Sequence, residues 1–378
     1  MQKRIHNLDG FRFVAAFIVL LGHATQFRHT YVIWTRGQHI LNIASQVAVS
    51  FFFILSGFLI THLLLQYQEK NKEAKLSSRL ASFYRRRMLR IWPLYYLLFF
   101  ICFFVIDRGF LASVMPKDFP NPIAHHPTEL TLGYLFFMPN YTGNYYDGGL
   151  YFLGPTWSLG VEEFFYLFFP IGFYLAGRKN LGKYLVGLTL VSFLLFMFCG
   201  KAGPALFDNE KQAWVVTSYL YRYRIYCFAL GGLIAWAMLP ENRMSRINHF
   251  FSKKFFSFGL GILIIYLLAT YKTFGFLMHP VYTIIITLFL YTVICSGIRF
   301  SPLNFSPVVY LGKISYGIYL LHPLCIATMF YLLKPFDLNL QSNAFAFLFF
   351  TGTAVMTIGL SILSYELFEK FFLRLRDK

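Results

Sequence analysis

The chain has 378 residues, 57% of them hydrophobic, 21% aromatic and only 13% charged. Soluble domains carry about 25% charged residues, so this balance excludes an ordinary soluble protein and indicates a polytopic membrane protein, its 47 Phe and 26 Tyr suited to lipid-facing and interfacial surfaces. The formal net charge of +18 invites a nucleic-acid reading, but the Lys and Arg sit in short segments between apolar runs, where an orientation bias is the simpler cause and no nucleic-acid partner is expected.

Ten segments are long enough to cross a hydrocarbon core that needs about 20 residues per helix. They lie near 9–29, 43–66, 91–107, 155–176, 184–200, 215–238, 255–271, 280–298, 308–332 and 344–366. The expected fold class is therefore all-α, a single membrane-embedded domain over 1–378 with no fused extracytoplasmic domain. The first run has the length of a span and lacks a small-x-small cleavage pattern, so it is expected to be retained. With the N-terminus inside, 22 of the 34 Lys and Arg fall in cytoplasmic segments, eight of them in the loop 67–90. That bias predicts both termini in the cytoplasm. Between Asp107 and Pro155, Pro116, Pro120, Pro122, Pro127 and Pro139 preclude a continuous helix. The semi-apolar piece 132–140 is then expected to be re-entrant or interfacial, packed on protein or lining a water-filled cavity. Cys102, Cys199, Cys227, Cys295 and Cys325 all lie in apolar runs without a C-x-x-C pair, which predicts core thiols and neither disulfides nor a metal site.

An ionisable residue inside a span is costly and marks a functional candidate. Arg12 and His23 share one face of the first span, eleven residues and roughly 17 Å apart. Arg12 reads as an interfacial anchor or a site cation; His23 reads as a buried hydrogen-bonding histidine or as a base that takes a proton from an attacking hydroxyl. Asp9 reads as the N-cap of this helix. In YRRRMLRIWPLYYL, Arg87 and Arg90 are at i, i+3, which suits either a solvated basic face or a phosphate clamp. In PTWSLGVEEFFYLFFP, Glu162 and Glu163 stand about a turn into an apolar helix. There they are stabilised by the helix dipole or paired with a polar group such as His23 or an arginine. Arg222 and Arg224 enter the sixth span as anchors or site residues. GKISYGIYLLHP places Tyr316, Tyr319 and His322 in the ninth.

Taken in order, LDGFRFVAAFIVLLGH with its R-x10-H spacing, FFFILSGFLI, RMLR, PTWSLGVEEFFYL, SYGIYLLHP and the terminal SYELFEKFF resemble the acyltransferase-3 family of integral membrane acyltransferases. These motifs run from residue 8 to 372 and so cover nearly the whole chain. The family modifies extracytoplasmic glycans such as O-antigen, exopolysaccharide and peptidoglycan sugars. The resemblance implies that His23 is catalytic, that Arg12, Arg87 and Arg90 serve the acyl-CoA donor at the cytoplasmic side, and that Glu162 is the motif carboxylate. Two positions depart from the family pattern: Gly160, where a larger or hydroxyl residue is usual, and Phe371, where a proline commonly follows the Glu369–Lys370 pair.

Residues and resemblance together lead to the expectation of acyl transfer, with acetyl-CoA the first choice of donor, to a hydroxyl of a glycan or glycolipid, in a bacterial cytoplasmic membrane. His23 would act as general base or carry the acyl group itself, and Glu162 would orient or charge-stabilise it. Glu163, Arg224, Tyr316 and His322 are candidates on the substrate side, with no metal. The competing expectation is a transporter or flippase of a lipid-linked glycan. That class favours inverted repeats and discontinuous helices in both halves, and no repeat is evident here.

Overall fold

The first apolar run forms α1 (Leu8–His29), and its two ends are tied down by polar side chains. Asn7, just before it, takes a left-handed backbone (φ 68°), which asparagine tolerates better than most residues. Its buried amide donates to the Ile298 carbonyl at 2.7 Å and accepts from the Phe300 N–H at 3.0 Å and from Asn304 Nδ2 at 2.6 Å. At the other end the Arg28 guanidinium donates twice to the Leu340 carbonyl, at 2.8 and 3.2 Å. Both ends thus have a fixed height, and so do the residues between them. The computed structural model describes residues 6–29, 36–70, 75–106, 126–145, 151–202, 209–240, 244–270, 274–336 and 338–375. Among these, every regular element is helical.

α2 (Arg36–Lys70) runs the depth of the molecule beside α1. α3 (Leu76–Ile101) carries Pro93 in its interior and ends in a π-helical turn, Cys102–Ile106. Two short helices follow, α4 (Pro127–Leu135) and α5 (Pro139–Tyr145), and then α6 (Trp157–Ala202). α7 (Glu210–Arg222), α8 (Ile225–Ala237), α9 (Ser245–Phe251), α10 (Lys254–Ala269) and α11 (Met278–Ser296) come next. The last part is α12 (Ser306–Lys313), α13 (Ser315–Leu333) and α14 (Asn343–Ser364), closed by a π-helical turn and α15 (Lys370–Leu375).

Lipid tails are as apolar as leucine, so helices in a bilayer associate by close packing rather than by exclusion from water. The central crossing of α2 with α8 shows this. A Cβ on Gly57 would stand 1.9 Å from the Phe228 carbonyl oxygen, and one on Gly231 1.9 Å from that of Ile54. The backbones therefore touch where FFFILSGFLI meets FALGGL. Around that contact, Phe53, Phe165 and Phe228 stack with centroids 4.4 to 4.7 Å apart. α13 packs on both α1 and α14.

Seven helices among the described residues have the length and apolarity to cross a membrane. The bent pair α9–α10, broken by 62°, would make an eighth. The chain is thus a multi-pass membrane protein. The segments expected at 155–176 and 184–200 are the two halves of α6, which meet at a kink where Gly177 leaves helical geometry (φ 66°, ψ 169°), within the connection 177–183 expected between them. The segment expected at 215–238 is two 13-residue helices, α7 and α8, meeting at Tyr223–Arg224, each short of the roughly 20 residues a span requires.

Of the proline-rich stretch, 107–125 and 146–150 lie outside the described residues. The piece 132–140 is a tight bend between α4 and α5, with Phe137 at φ 57°. It packs on protein: Tyr95 and Tyr96 donate to the Tyr134 and Leu135 carbonyls, both at 2.8 Å, and the Tyr95 ring stacks on Phe137 at 4.4 Å. The unusual glycine at 160 belongs to this contact, because a Cβ there would meet the Phe137 carbonyl oxygen at 2.5 Å.

Candidate active site

Side chains from α1, α2, α3, α6 and α13 line an open cavity of about 750 Å³, the solvent space at its mouth included. α1 contributes Arg12; α2 contributes Phe52 and Ser56; α3 contributes Arg87 and Arg90; α6 contributes Ser158, Glu162 and Tyr166; α13 contributes Tyr316 and Tyr319. Residues far apart in sequence thus put three guanidinium groups on one space. Arg12 is held by Asp9, one turn earlier, at 3.9 Å. Asp9 therefore lies inside the first turn as an ion-pair partner rather than at the expected N-cap. Arg87 lies over two aromatic rings, Phe83 at 5.7 Å and Tyr166 at 5.4 Å. A guanidinium flattened on rings keeps its N–H edge available for an anion.

Glu162 accepts from Tyr166 at 2.6 Å and from Ser56 at 3.2 Å, so its two oxygens are fixed on one side of the cavity. Glu163, one residue on, turns toward α3 and accepts from the Trp92 indole at 3.2 Å. The Tyr316 hydroxyl donates to the Ile91 carbonyl at 2.7 Å, within the turn of α3 that holds Pro93. Tyr319 is anchored by Ser158 at 2.7 Å and the Pro155 carbonyl at 3.1 Å. Three arginines against one cavity carboxylate leave an excess of positive charge, which suits a polyanionic ligand.

Above this space the histidines form a pair. His23 Nδ1 and His322 Nε2 are 2.7 Å apart, with the ring planes within 3° of parallel. At that distance one nitrogen carries the hydrogen and the other the lone pair. His322 is fully buried; its Nδ1 faces the Ile318 and Tyr319 carbonyls of its own helix without a well-formed hydrogen bond. The partner of His23 is thus another imidazole, not the Glu162 carboxylate considered from sequence. Neither histidine lines the cavity. Between them and it lies an aromatic layer, Phe52 edge-on to Tyr319 at 5.9 Å, with Tyr319 in turn 6.0 Å from His322.

Arg224 lies elsewhere. At the break between α7 and α8 it is 3% exposed, donates to Ser50 at 3.0 Å and to His279 Nδ1 at 2.6 Å, and rests on the rings of Phe53 and Trp157. It does not line the cavity, which it borders through Phe53, so the structure groups it with a neighbouring polar cluster. Ser56, Tyr166, Ser158 and Tyr319 hold the cavity together, yet sequence reasoning passed over all but Tyr319. The signal was present: Ser56 sits in ILSGF beside the Gly57 crossing, and Tyr166 is one turn beyond Glu162. Among the described residues no cluster of three His, Cys, Asp or Glu is placed to hold a metal ion.

Comparison with known proteins fits this geometry. The acyltransferase-3 family model, described as an acyltransferase domain, matches residues 5–366. The chain is 27% identical over 342 residues to "Putative peptidoglycan O-acetyltransferase YrhL" of Bacillus subtilis, covering 85% of this chain and 48% of that protein. It is 26% identical over 345 residues to "Peptidoglycan O-acetyltransferase OatA" of Listeria monocytogenes, covering 85% and 49%. The chain spans about half the length of these relatives. No solved structure matches it. The chain belongs to the acyltransferase-3 family.

Proposed function

We propose that this member of the acyltransferase-3 family transfers an acyl group, acetyl as in the names of its relatives, from acyl-CoA to a hydroxyl of an extracytoplasmic glycan. The convergence of Arg12, Arg87 and Arg90 on one cavity carries this reading. Three cations lining one open cavity match the phosphates of a coenzyme A thioester, and bidentate guanidinium bonds are the strong way to hold phosphate. With both termini in the cytoplasm, as the Lys and Arg distribution favours, the arginine end opens to the donor. α1 then leads from Arg12 to His23 over roughly 17 Å, the order of an extended pantetheine arm.

In this reading the chain acts as one membrane unit over its whole length, in a bacterial cytoplasmic membrane. His322 Nε2 accepts from His23 Nδ1–H, which leaves the lone pair on His23 Nε2. That nitrogen takes the proton of the acceptor hydroxyl as its oxygen attacks the thioester carbonyl. The tetrahedral intermediate collapses with cleavage of the C–S bond, and the imidazolium returns the proton to the departing CoA thiolate. His322 is a positioning residue: it sets the tautomer and plane of His23. Glu162, held by Ser56 and Tyr166, balances the arginine cluster and fixes the donor's path. The thioester crosses the Phe52–Tyr319 layer to reach His23. A glycan acceptor approaches from the opposite side, and peptidoglycan, the substrate named for the relatives, is the first to test.

The test is purified protein in proteoliposomes given radiolabelled acetyl-CoA and isolated peptidoglycan fragments. Label should reach the glycan as an alkali-labile ester. A transporter of lipid-linked glycan would neither bind CoA nor move label, and that result would overturn the proposal.

A further inference from the structure

Glu162 is the carboxylate that lines the arginine cavity, yet no guanidinium takes it up. Arg12 reaches Asp9 at 3.9 Å, and Arg87 rests on the Phe83 and Tyr166 rings. Among the described residues no ion pair joins Glu162 to Arg12, Arg87 or Arg90. Its two oxygens are each taken by one hydroxyl instead, Tyr166 at 2.6 Å and Ser56 at 3.2 Å. A carboxylate has about four acceptor sites, so each oxygen keeps a lone pair. A charge in a membrane segment is costly without such partners, and the open cavity is the side from which a further donor can come.

The height of Glu162 says what that donor is. Ser158, Glu162 and Tyr166 recur every four residues of α6 and all line the cavity, so they form one stripe with steps of about 6 Å. Tyr166, at one end, lies under the Arg87 guanidinium at 5.4 Å. Ser158, at the other, meets the Tyr319 hydroxyl at 2.7 Å, in the aromatic layer before the histidines. Glu162 is therefore midway between the cationic end and the layer. A phosphate would be repelled there. The part of coenzyme A between diphosphate and thioester is neutral, and it carries one hydroxyl and two amide N–H groups. The hydroxyl and the first amide are the ones nearest the diphosphate.

We infer, resting on the acyl-CoA reading above, that Glu162 binds the pantetheine arm: its carboxylate accepts a hydrogen bond from the arm's hydroxyl or first amide N–H, and Ser56 and Tyr166 hold it in place to do so. Glu162 is then a specificity residue, which separates a pantetheine thioester from a nucleotide with the same phosphates. A phosphate joined to an N–H donor also occurs in the ethanolamine headgroup of a lipid, so the test separates the two sources.

The arm's contribution is read as the ratio of two dissociation constants, one for coenzyme A and one for adenosine 3′-phosphate 5′-diphosphate, which has the phosphates and nucleoside without the arm. Both are titrated on the full chain in phosphatidylcholine nanodiscs, with and without phosphatidylethanolamine. Glu162→Gln should shift the ratio against coenzyme A by about tenfold, the worth of a charge-assisted hydrogen bond. The arm-free nucleotide should bind it as well as wild type or more tightly, because a negative charge near its phosphates is gone. Glu162→Asp keeps the charge and shortens the reach by one methylene, so it should shift the ratio severalfold the same way with nucleotide affinity unchanged. A carboxylate that only offsets the arginines gives equal shifts of both ligands in Glu162→Gln and wild-type binding in Glu162→Asp, and that pattern overturns the inference. So does a ratio that phosphatidylethanolamine brings to the Glu162→Gln value in wild-type protein, which assigns Glu162 to a lipid headgroup. Wild-type protein that binds neither ligand removes the acyl-CoA reading itself, whereas binding of both with the same ratio in every variant removes only the arm contact.

Discussion

In the proposed mechanism, replacing His322 by alanine separates positioning of the base from donor binding. The wild-type pair has a 2.7 Å contact between coplanar rings, and His322 is fully buried. Its loss leaves His23 Nδ1 without a partner and the ring free to rotate. A single neutral hydrogen bond is worth only about 1 kcal/mol of net stability, but the loss to a base whose tautomer and plane are no longer set is larger, about 10²–10⁴-fold in rate. Because His322 does not line the arginine cavity, CoA affinity should stay within about twofold of wild type, by the same logic that separates KM from kcat effects. His322→Gln, which restores a polar partner of similar length, should recover part of the rate. The assay is single-turnover label transfer with a parallel CoA titration. Two results would refute the reasoning: a rate within about threefold of wild type, or a loss of CoA affinity that tracks the loss of rate.

Two other substitutions probe the framework and the path. Gly57→Leu puts a Cβ where the Phe228 carbonyl oxygen already stands 1.9 Å away, so α2 and α8 must separate. Overpacking of this kind costs about 1–3 kcal/mol or more, and a clear fall in detergent Tm should accompany loss of activity, whereas an unchanged Tm would show that the crossing is not tightly made. Phe52→Ala thins the aromatic layer between cavity and histidines; with water admitted to the thioester, acceptor-independent hydrolysis of acetyl-CoA should rise severalfold over wild type, as read by free thiol release, and no rise would mean that the layer does not gate the path.

Much of this arrangement is legible in the residues themselves. Charged groups inside apolar runs are expensive, and that rule picks out Arg12 and Glu162; the i, i+3 spacing at the mouth of the third expected span picks out Arg87 and Arg90, and all four share the cavity. The same rule finds His23 and His322 but cannot pair them, since 299 residues separate the two. Nor does it assign partners. A carboxylate is a natural companion for a histidine, yet Glu162 is taken up by Ser56 and Tyr166, polar groups that pass as helix filler in sequence. Arg224 obeys the rule too, but the break at Tyr223–Arg224 sends it toward Ser50 and His279. Hydropathy likewise sees apolar length and not backbone direction. The break before α8 leaves composition almost unchanged while dividing the run 215–238 into two short helices.

The central claim, that donor binding and proton transfer occupy opposite ends of α1, is tested most directly by His23→Ala in proteoliposomes. Donor affinity and label transfer are measured on the same sample. The account predicts CoA binding at wild-type affinity with transfer to the glycan reduced to background. Transfer at the wild-type rate, or loss of CoA binding together with transfer, would contradict it.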